Sequence, residues 1–470
     1  LGARTYTPGT QAQTIANGQY LSGVQTIQGD PNLTSGNIKK GVSIFGVDGA
    51  VEQSFLATLT VTSDVGAVVT ATHSGGTEVE GLSATGTVVL ELPLEGTWKV
   101  TAVRGVAQYN TVTIQVTSQY NAALTAEVHV EYFGDATPLS SVRKYLSAAS
   151  TDSHAIFAGG QNKRYDGVLL SLKHIDVYDA NLTRDSSHSL LNFRYRSQAT
   201  SLGGKVFLGG GLGDVGANGA GTAVNIKKVE QIDNSLTITE LEDLTNPKSH
   251  HSATSISNHA IFGGGAISSG ESTASVDAYD QNSTHTTPVQ LSTPCSDLAA
   301  ASNDNYAVFA GGNEASGVPT AYDSSLTRVL LTSLSVARTG LAAARAGNYV
   351  VFAGGRNRSA NPDTVLDSVD AYDLFLTRTT PEPLSVARHG LQGSTLKDTA
   401  VFAGGFTGWS VGICGIVESY DPFLVRQVQT ELKVQRAEHG AASIGSYALF
   451  GGGCGGAEAF INSVEAYRYV

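Results

Sequence analysis

The feature that most constrains the fold is a repeat that occupies the C-terminal two thirds of the chain. An apolar residue, a Phe and a Gly-rich pair recur seven times, and successive copies are 43 to 55 residues apart. The seven copies are marked by Phe157, Phe207, Phe262, Phe309, Phe352, Phe402 and Phe450. A period of this length indicates one small unit of supersecondary structure per copy, with neighbouring units sharing a core.

Two further landmarks define the unit. A Tyr follows the Phe in six of the seven copies, at Tyr178, Tyr279, Tyr322, Tyr372, Tyr420 and Tyr467, with Ile232 in the second. The residue 14 positions before each Phe is Arg143, Phe193, Lys248, Cys295, Arg338, Arg388 or Arg436. Only the Phe-to-Tyr interval varies strongly, from 13 to 25 residues. Because strands keep their register and surface loops tolerate insertions, we predict four strands per unit, with the variable loop between the second and third.

The end of the chain indicates how the repeats close. The sequence stops just after the third strand of the seventh unit, and the upstream segment Gly134 to Arg143 resembles Thr380 to Arg388. We therefore predict that this upstream segment supplies the missing strand of the last unit. The sequence thus predicts an all-β fold in which residues 132–470 form a seven-bladed β-propeller with no exposed sheet edge.

At this point the sequence resembles the kelch family of β-propellers over residues 134 to 470. The resemblance rests on the Gly pair, the downstream Tyr-Asp and the basic residue before the first strand, and the Trp that commonly follows the Tyr is missing. It implies the architecture of the family. It implies no activity, because kelch propellers include both enzymes and binding modules.

Residues 54–131 have a different pattern. Short runs of alternating apolar and polar residues lie between Gly, Ser and Asn turns, which predicts a small immunoglobulin-like β-sandwich. Trp98 lies on one of these strands and is predicted to be core. The segment resembles the immunoglobulin-like spacer modules of bacterial and phage surface proteins.

Residues 1–53 are polar and contain too few apolar residues for a core of their own. They resemble a module found at the ends of tail and appendage proteins of phages of Gram-positive bacteria, on Thr14 to Ala16, Gly18 to Gly23, Asn37 to Gly41 and Val47 to Gly49. This resemblance implies an extended N-terminal attachment module, and the alternative is a disordered linker or tag. The sequence begins at Leu1 and contains no Met, so we expect the chain to begin inside a longer or processed product.

Composition limits the partners. A net charge of -12 and a pI near 5.4 argue against nucleic acid as a partner, and no apolar run is long enough for a membrane helix. No metal-ligand or cofactor motif is recognisable, so we expect no metal, no cofactor and no enzymatic activity. The three cysteines are not a zinc set, and whether Cys414 and Cys454 form a disulfide is left open.

The candidate site residues belong to two groups. The variable loops carry the candidates for receptor binding: Arg164, Tyr165, Arg356, Arg358, Phe406 and Trp409. The repeat position before the first strand carries a basic ring, Arg143, Lys248, Arg338, Arg388 and Arg436, on the face that also bears the variable loops. We interpret the ring as structural, each cation pairing with a carboxylate such as the Asp of the Tyr-Asp pair. The alternative is a shared anion site.

These features lead to one hypothesis and two alternatives. We expect an extracellular virion component, a bacteriophage tail-associated appendage or receptor-binding protein. Residues 1–53 would bind other tail proteins, and the propeller loops would contact a glycan or protein of the bacterial surface. A homo-oligomer is compatible with this role. The alternatives are a secreted bacterial adhesin or interaction protein with the same domains and, with less support, a carbohydrate-active enzyme on a propeller.

Overall fold

The structure is all-β. The computed structural model describes residues 9–15, 25–27, 29–38, 40–50, 57–63, 66–104, 107–108, 112–116, 120–123, 130–214, 222–268, 270–312, 318–360, 363–408, 412–456 and 459–469. Within these ranges nearly all strand pairs are antiparallel, and a 3-10 turn lies at Ser35–Asn37. The chain divides into two compact units, residues 1–103 with 109–126, and residues 104–108 with 127–470.

The first unit contains two larger sheets. One has three strands, Tyr120–Ala123, Ala57–Thr62 and Thr87–Leu92, and its first pair is parallel. In the other, Val68–His73 pairs with Glu78–Leu82 and with Gly96–Arg104, and Val112–Val116 pairs with Gly96–Arg104. Every second residue of Ala57–Thr62 and Thr87–Leu92 is buried, as period-2 alternation requires. Trp98 is fully buried, as predicted, and its indole N–H donates to the Leu94 carbonyl oxygen at 3.0 Å.

The described residues between 9 and 50 form small pairs of strands. Gln13–Ile15 pairs with Gln25–Ile27, and Ser43–Ile44 pairs with Val47–Asp48. Among the residues described in this segment, Ile38 is the one buried apolar side chain, whereas Phe45 is 61% exposed. The segment therefore builds almost no core among its described residues, which agrees with its low apolar content.

The second unit contains seven sheets that share one strand order, first to fourth strand, each antiparallel to the next. We number them by chain order. Sheets 1 to 4 are Ser147–Ser150, Ala155–Ala158, Leu169–Tyr178, Arg184–Asp185; Gln198–Leu202, Lys205–Gly209, Val229–Ile232, Ile238–Glu240; Ser252–Ile256, His259–Gly263, Val276–Asp280, His285–Thr286; and Leu298–Ser302, Ala307–Gly311, Thr320–Tyr322, Arg328–Leu330. Sheets 5 to 7 are Ala342–Ala346, Tyr349–Ala353, Val369–Tyr372, Arg378–Thr379; Gln392–Leu396, Thr399–Ala403, Val417–Tyr420, Arg426–Gln429; and Gly440–Ile444, Tyr447–Gly451, Val464–Tyr469, Val130–Ala136.

Short additional strands lie in the connections. Gln161–Lys163 and Ser189–Arg194 pair with the long third strand of sheet 1. Two small hairpins extend the loops between the second and third strands of sheets 2 and 5: Leu212–Asp214 with Ala223–Asn225, and Arg356–Asn357 with Thr364–Val365. The length variation seen in the sequence is thus located in the connection that the sequence indicated.

The fourth strand of sheet 7 comes from the beginning of the unit. Val130–Ala136 pairs with Val464–Tyr469, with a register shift between Tyr132 and Gly134. The sequence placed this strand at Gly134 to Arg143, several residues too late. The strand ends before Pro138, which has no N–H to donate to a ladder. Leu139 then donates its backbone N–H to the Asn462 carbonyl oxygen at 2.7 Å.

Each sheet packs on the next through a shared apolar cluster. Six such clusters join consecutive sheets from 1 to 7. A further cluster joins sheet 7 to sheet 1, with Leu449 and Ala466 against Phe157 and Tyr178. The Gly pairs allow this close approach: Gly354 has φ +67°, and a Cβ on it would lie 2.5 Å from the Arg388 carbonyl oxygen of the next sheet. Consecutive sequence repeats therefore share apolar cores, as the repeat period indicated.

Candidate functional site

The basic residues of the repeat are buried in ion pairs. Arg143, Lys248, Arg338, Arg388 and Arg436 are fully buried, and each lies 2.6 to 2.9 Å from a carboxylate oxygen of its own sheet. The partners are Asp176, Asp277, Asp370, Glu418 and Glu465, on the third strand, two residues before the repeat Tyr. Each cation is thus engaged within its own sheet, an arrangement that favours the structural interpretation over a shared anion site.

The partner is not the Asp of the Tyr-Asp pair that we named. That Asp instead caps the turn between the third and fourth strands: Asp373 Oδ1 accepts the backbone N–H groups of Phe375 and Thr377, both at 2.8 Å. The turn contains Leu376 at φ +62°, so a side-chain acceptor stabilises an unusual backbone conformation there.

The second sheet contains a sixth ion pair that the sequence analysis missed. Arg194 lies 2.5 Å from Glu230, and both side chains are fully buried. We had aligned this repeat on Phe207 and so placed Phe193 at the basic position. The two Gly with positive φ are Gly210 and Gly211, so the residue equivalent to the other Phe is Leu208, and the alignment shifts by one.

Sheet 4 replaces the pair by two neutral residues. Cys295 stands at the basic position and Thr320 at the acidic one, and Ser292 donates its backbone N–H to the Thr320 hydroxyl oxygen at 3.2 Å. Burial raises the pKa of the Cys295 thiol to about 12. All three cysteines are buried and none is in a disulfide, so Cys414 and Cys454 are not bonded to each other.

Two residues after each basic position, the seven sheets meet in a hydrogen-bonded ring. We call these residues the central ring: Tyr145, Arg196, His250, Asp297, Gly340, Gly390 and Glu438. All have φ between +52° and +65°, and six backbone N–H to carbonyl hydrogen bonds of 2.9 to 3.1 Å join each to a neighbour, including Tyr145 to Glu438. These six bonds use main-chain atoms alone, so side chains can differ from sheet to sheet, whereas Arg196 and His250 meet through their side chains.

The central ring surrounds a cavity of about 290 Å³. Its side chains are supplemented by Arg356, Arg358, His389 and Phe406 from the loops of sheets 5 and 6. Backbone bridges fix two of these residues, because Arg356 pairs with Thr339 and Phe406 pairs with His389, each just before a central-ring residue. The cavity is the candidate functional site, because polar and aromatic groups from all seven sheets converge on it.

Charges are unevenly distributed around the cavity. Glu438 accepts from the Tyr145 hydroxyl at 2.8 Å and pairs with Lys144 at 3.1 Å. Arg196 lies over the Tyr145 ring, 4.0 Å from its centroid, and contacts His250. Burial lowers the pKa of His250, and Arg196 lowers it further, so the imidazole is neutral near pH 7. One side of the cavity is thus filled by mutually paired groups, whereas Gly340 and Gly390 leave the other side open.

Two buried histidines lie beneath the ring. His251 and His439 occupy the position held by Leu146, Leu298, Leu341 and Leu391 in other sheets, and both are 1% exposed. Burial lowers the pKa of both imidazoles well below 6.5.

These histidines predict a pH-dependent stability. Between their folded-state pKa and 6.5, the unfolded chain binds more protons than the folded chain, so stability is present above pH 6.5 and is lost as the pH falls. We expect the free energy of unfolding to drop by about 1.4 kcal/mol per pH unit for each histidine below pH 6.5. Denaturant unfolding from pH 7.5 to 5.2 measures this. The variant H251L/H439L, with the leucine used by four sheets, should lose the contribution of these two histidines to the slope; an unchanged slope would contradict the assignment.

The structure places the predicted receptor-binding residues in three settings. Arg356, Arg358 and Phe406 line the cavity. Arg164 and Tyr165 lie away from it on the sheet 1 loop, where Arg164 pairs with Asp166 and Tyr165 is 99% exposed. Trp409 lies outside the described residues.

Sequence reasoning missed the central ring and His389. A signal was present: with the second repeat aligned on Arg194, the landmark is basic in six of the seven repeats, whereas the position two residues later holds Tyr, Arg, His, Asp, Gly, Gly and Glu. A position that varies inside a regular repeat is free of the packing constraint, which is typical of a surface used for binding.

No protein-family model and no curated protein matches the chain. The described residues contain no group of three or more His, Cys, Asp or Glu side chains that could hold a metal ion. No helix in the described ranges is long and apolar enough to cross a membrane.

Proposed function

We propose that this protein is a receptor-binding or appendage protein of a bacteriophage tail, and that its central cavity binds a glycan of the bacterial surface. The observation that carries the proposal is the cavity itself, because polar side chains from seven sheets converge on one concave site of small-molecule size. The ion pairs support it as well, since they give the site a framework that does not depend on the ligand.

The finer architecture belongs to the same proposal. Residues 132–470 would be a seven-bladed, kelch-like propeller, with each four-stranded sheet as a blade and Val130–Ala136 as the closing strand. The shared strand order and the cluster between sheets 7 and 1 support this. Residues 54–131 would be an immunoglobulin-like spacer, supported by the alternating burial of their strands.

Residues 1–53 would attach the protein to the virion. Their support is the resemblance to modules of tail and appendage proteins and the exposure of Val42, Ile44 and Phe45 on a segment with little core. Affinity for the bacterium would come from many copies on one particle, because linked sites raise the effective concentration of each further contact. No cofactor, metal or catalytic step is part of the proposal.

The proposal is tested by adsorption of the labelled full chain to a panel of bacterial strains, with and without enzymatic removal of surface glycans. We expect adsorption to a subset of strains and its loss after glycan removal. Gly340→His should reduce adsorption at least about tenfold, because a side chain there fills the open side of the cavity. The substitution suits the backbone, since His250 has φ 54° at the equivalent position.

Phe375→Ala serves as the matched control. Phe375 is 86% exposed on the turn between the third and fourth strands of sheet 5, at the end opposite the loop that carries Arg356. Adsorption should not change in this variant. Equal adsorption by Gly340→His and the unmodified chain would exclude the cavity as the receptor site.

A second variant tests the loop of sheet 6. Trp409→Ala should weaken adsorption, because an aromatic side chain in a Gly-rich loop is suited to stacking on a sugar face. Circular dichroism melting should be unchanged, since the residue belongs to a variable loop. Unchanged adsorption would remove this loop from the receptor site.

A further inference from the structure

We propose that the ligand of the cavity is an anionic sugar, a sugar unit with a carboxylate or phosphate substituent, seated over Gly340 and Gly390 with its anionic group on Arg358. This inference rests on the proposed function and specifies the class of glycan. On one side, the cavity has open space, a cation, a carboxylate without a hydrogen-bond partner among the residues that the structure describes, and an aromatic surface.

The open space in the cavity lies on the side of sheets 5 and 6. Gly340 and Gly390 are the only central-ring residues without a side chain. A Cβ on Gly340 would meet no atom closer than 3.9 Å, whereas one on Gly390 would lie 3.1 Å from the Phe406 ring. A ligand can therefore reach the main chain above Gly340, with Phe406 beside it.

The cation is Arg358. Its side chain is exposed, lines the cavity, and has no hydrogen bond or ion pair to any residue in the described part of the chain. A guanidinium has five N–H donors and no acceptor, and its strongest partners are carboxylates and phosphates. Arg356 lies on the same loop at the cavity wall and adds positive charge. The positive charge comes from the arginines, because burial lowers the pKa of His389 below 6.5.

The carboxylates nearby explain why the ligand must also carry hydroxyl groups. Glu438 is already engaged by Lys144 and Tyr145. The carboxylate of Asp297 has no hydrogen-bond partner among the described residues and lines the cavity. Because an ionised carboxylate only accepts hydrogen bonds, it would repel a simple anion and would be satisfied by sugar hydroxyls. A third acid, Asp363, lies close enough to His389 to act on its pKa but does not line the cavity.

Size and surface favour one sugar unit over a peptide segment. About 290 Å³ lies at the small end of the range for ligand sites. Phe406 and His389 lie with ring centroids 5.3 Å apart, tilted by 30°, and form an aromatic wall on which the C–H face of a sugar can rest.

The test measures binding of three probes to the full chain by calorimetry or ligand-observed NMR at fixed ionic strength: glucuronate, glucose 6-phosphate and glucose. We expect at least one anionic probe to bind about tenfold or more tightly than glucose, and the tighter one identifies the substituent as carboxylate or phosphate. Arg358→Ala should lower the affinity for that anion at least about tenfold and leave the affinity for glucose unchanged. Arg164→Ala is the matched control, an exposed loop arginine outside the cavity, and should change nothing.

Three results would overturn the inference: glucose binding as tightly as both anions, an unchanged anion affinity in Arg358→Ala, or tighter binding of an oligoglutamate peptide than of either sugar anion. The proposal of adhesion to bacteria is contradicted by a different result. If the full chain adsorbs to bacteria through glycans but shows any of these three results, the choice of an anionic sugar is wrong and adhesion stands. If it binds glucuronate but adsorbs to no strain, adhesion is wrong and the ligand class stands.

Discussion

Replacing Arg338 by Cys should lower the free energy of unfolding by about 3–5 kcal/mol, the usual cost of leaving one partner of a buried ion pair uncompensated. Asp370 would then be a fully buried carboxylate whose remaining partners are the Ser335 N–H and hydroxyl and Arg378 at 3.7 Å. Urea unfolding of the full chain, followed by circular dichroism, measures the change.

The chain itself supplies the compensating variant. Sheet 4 has Cys and Thr at these two positions, and its Ser292 donates to Thr320 as Ser335 donates to Asp370. The double variant R338C/D370T should therefore be more stable than either single variant, because no buried charge is left over. If the loss of unfolding free energy in the double variant equals the sum of the losses in the two single variants, the two side chains are not energetically coupled.

The second large effect concerns the strand that completes sheet 7. A chain that begins at Thr137 lacks Val130–Ala136, whereas one that begins at Glu127 retains it. We expect the shorter chain to be less stable by an amount on the order of 5 kcal/mol, because it loses a full ladder of hydrogen bonds and the buried side chain of Val130. Thermal melting of the two chains under the same conditions gives the comparison.

The shorter chain should also associate. Removal of the strand leaves Val464–Tyr469 as an exposed edge with unpaired backbone groups, which can pair with another molecule. Light scattering should show concentration-dependent oligomers for the chain from Thr137 and none for the chain from Glu127. Equal melting temperatures and equal masses would show that the strand contributes nothing to the integrity of sheet 7.

The number of sheets and their strand order could be predicted from sequence because they follow from regular spacing. Constant intervals identify strands, and the variable Phe-to-Tyr interval identifies the loop. The alignment failed at Phe207, where Phe-Leu-Gly-Gly-Gly offers two registers one residue apart. Only the positive φ of Gly210 and Gly211 distinguishes them, and this hid Arg194. Where several Gly residues are consecutive, the repeats can be aligned residue by residue only when the backbone conformation is known.

The site was predictable only in part. Arg356, Arg358 and Phe406 were found because irregular residues in variable loops are natural candidates. The central ring was not found, because it requires knowing that residues some 50 positions apart in sequence meet through backbone hydrogen bonds. The acid partners were misassigned as well. One acid precedes the repeat Tyr by two residues, as Asp370 does, and another follows it directly, as Asp373 does. Residues two apart on a strand share a face, but sequence alone did not show which face the cation lies on.

The central ring also has an evolutionary consequence. Six of its contacts are hydrogen bonds between main-chain atoms, so a substitution at Asp297 or Gly340, whose side chains have no partner among the described residues or are absent, changes the cavity wall and keeps these bonds. Variants selected for binding to a different ligand should therefore differ first at these two positions, by single substitutions. The scaffold can therefore stay constant while the ligand preference changes.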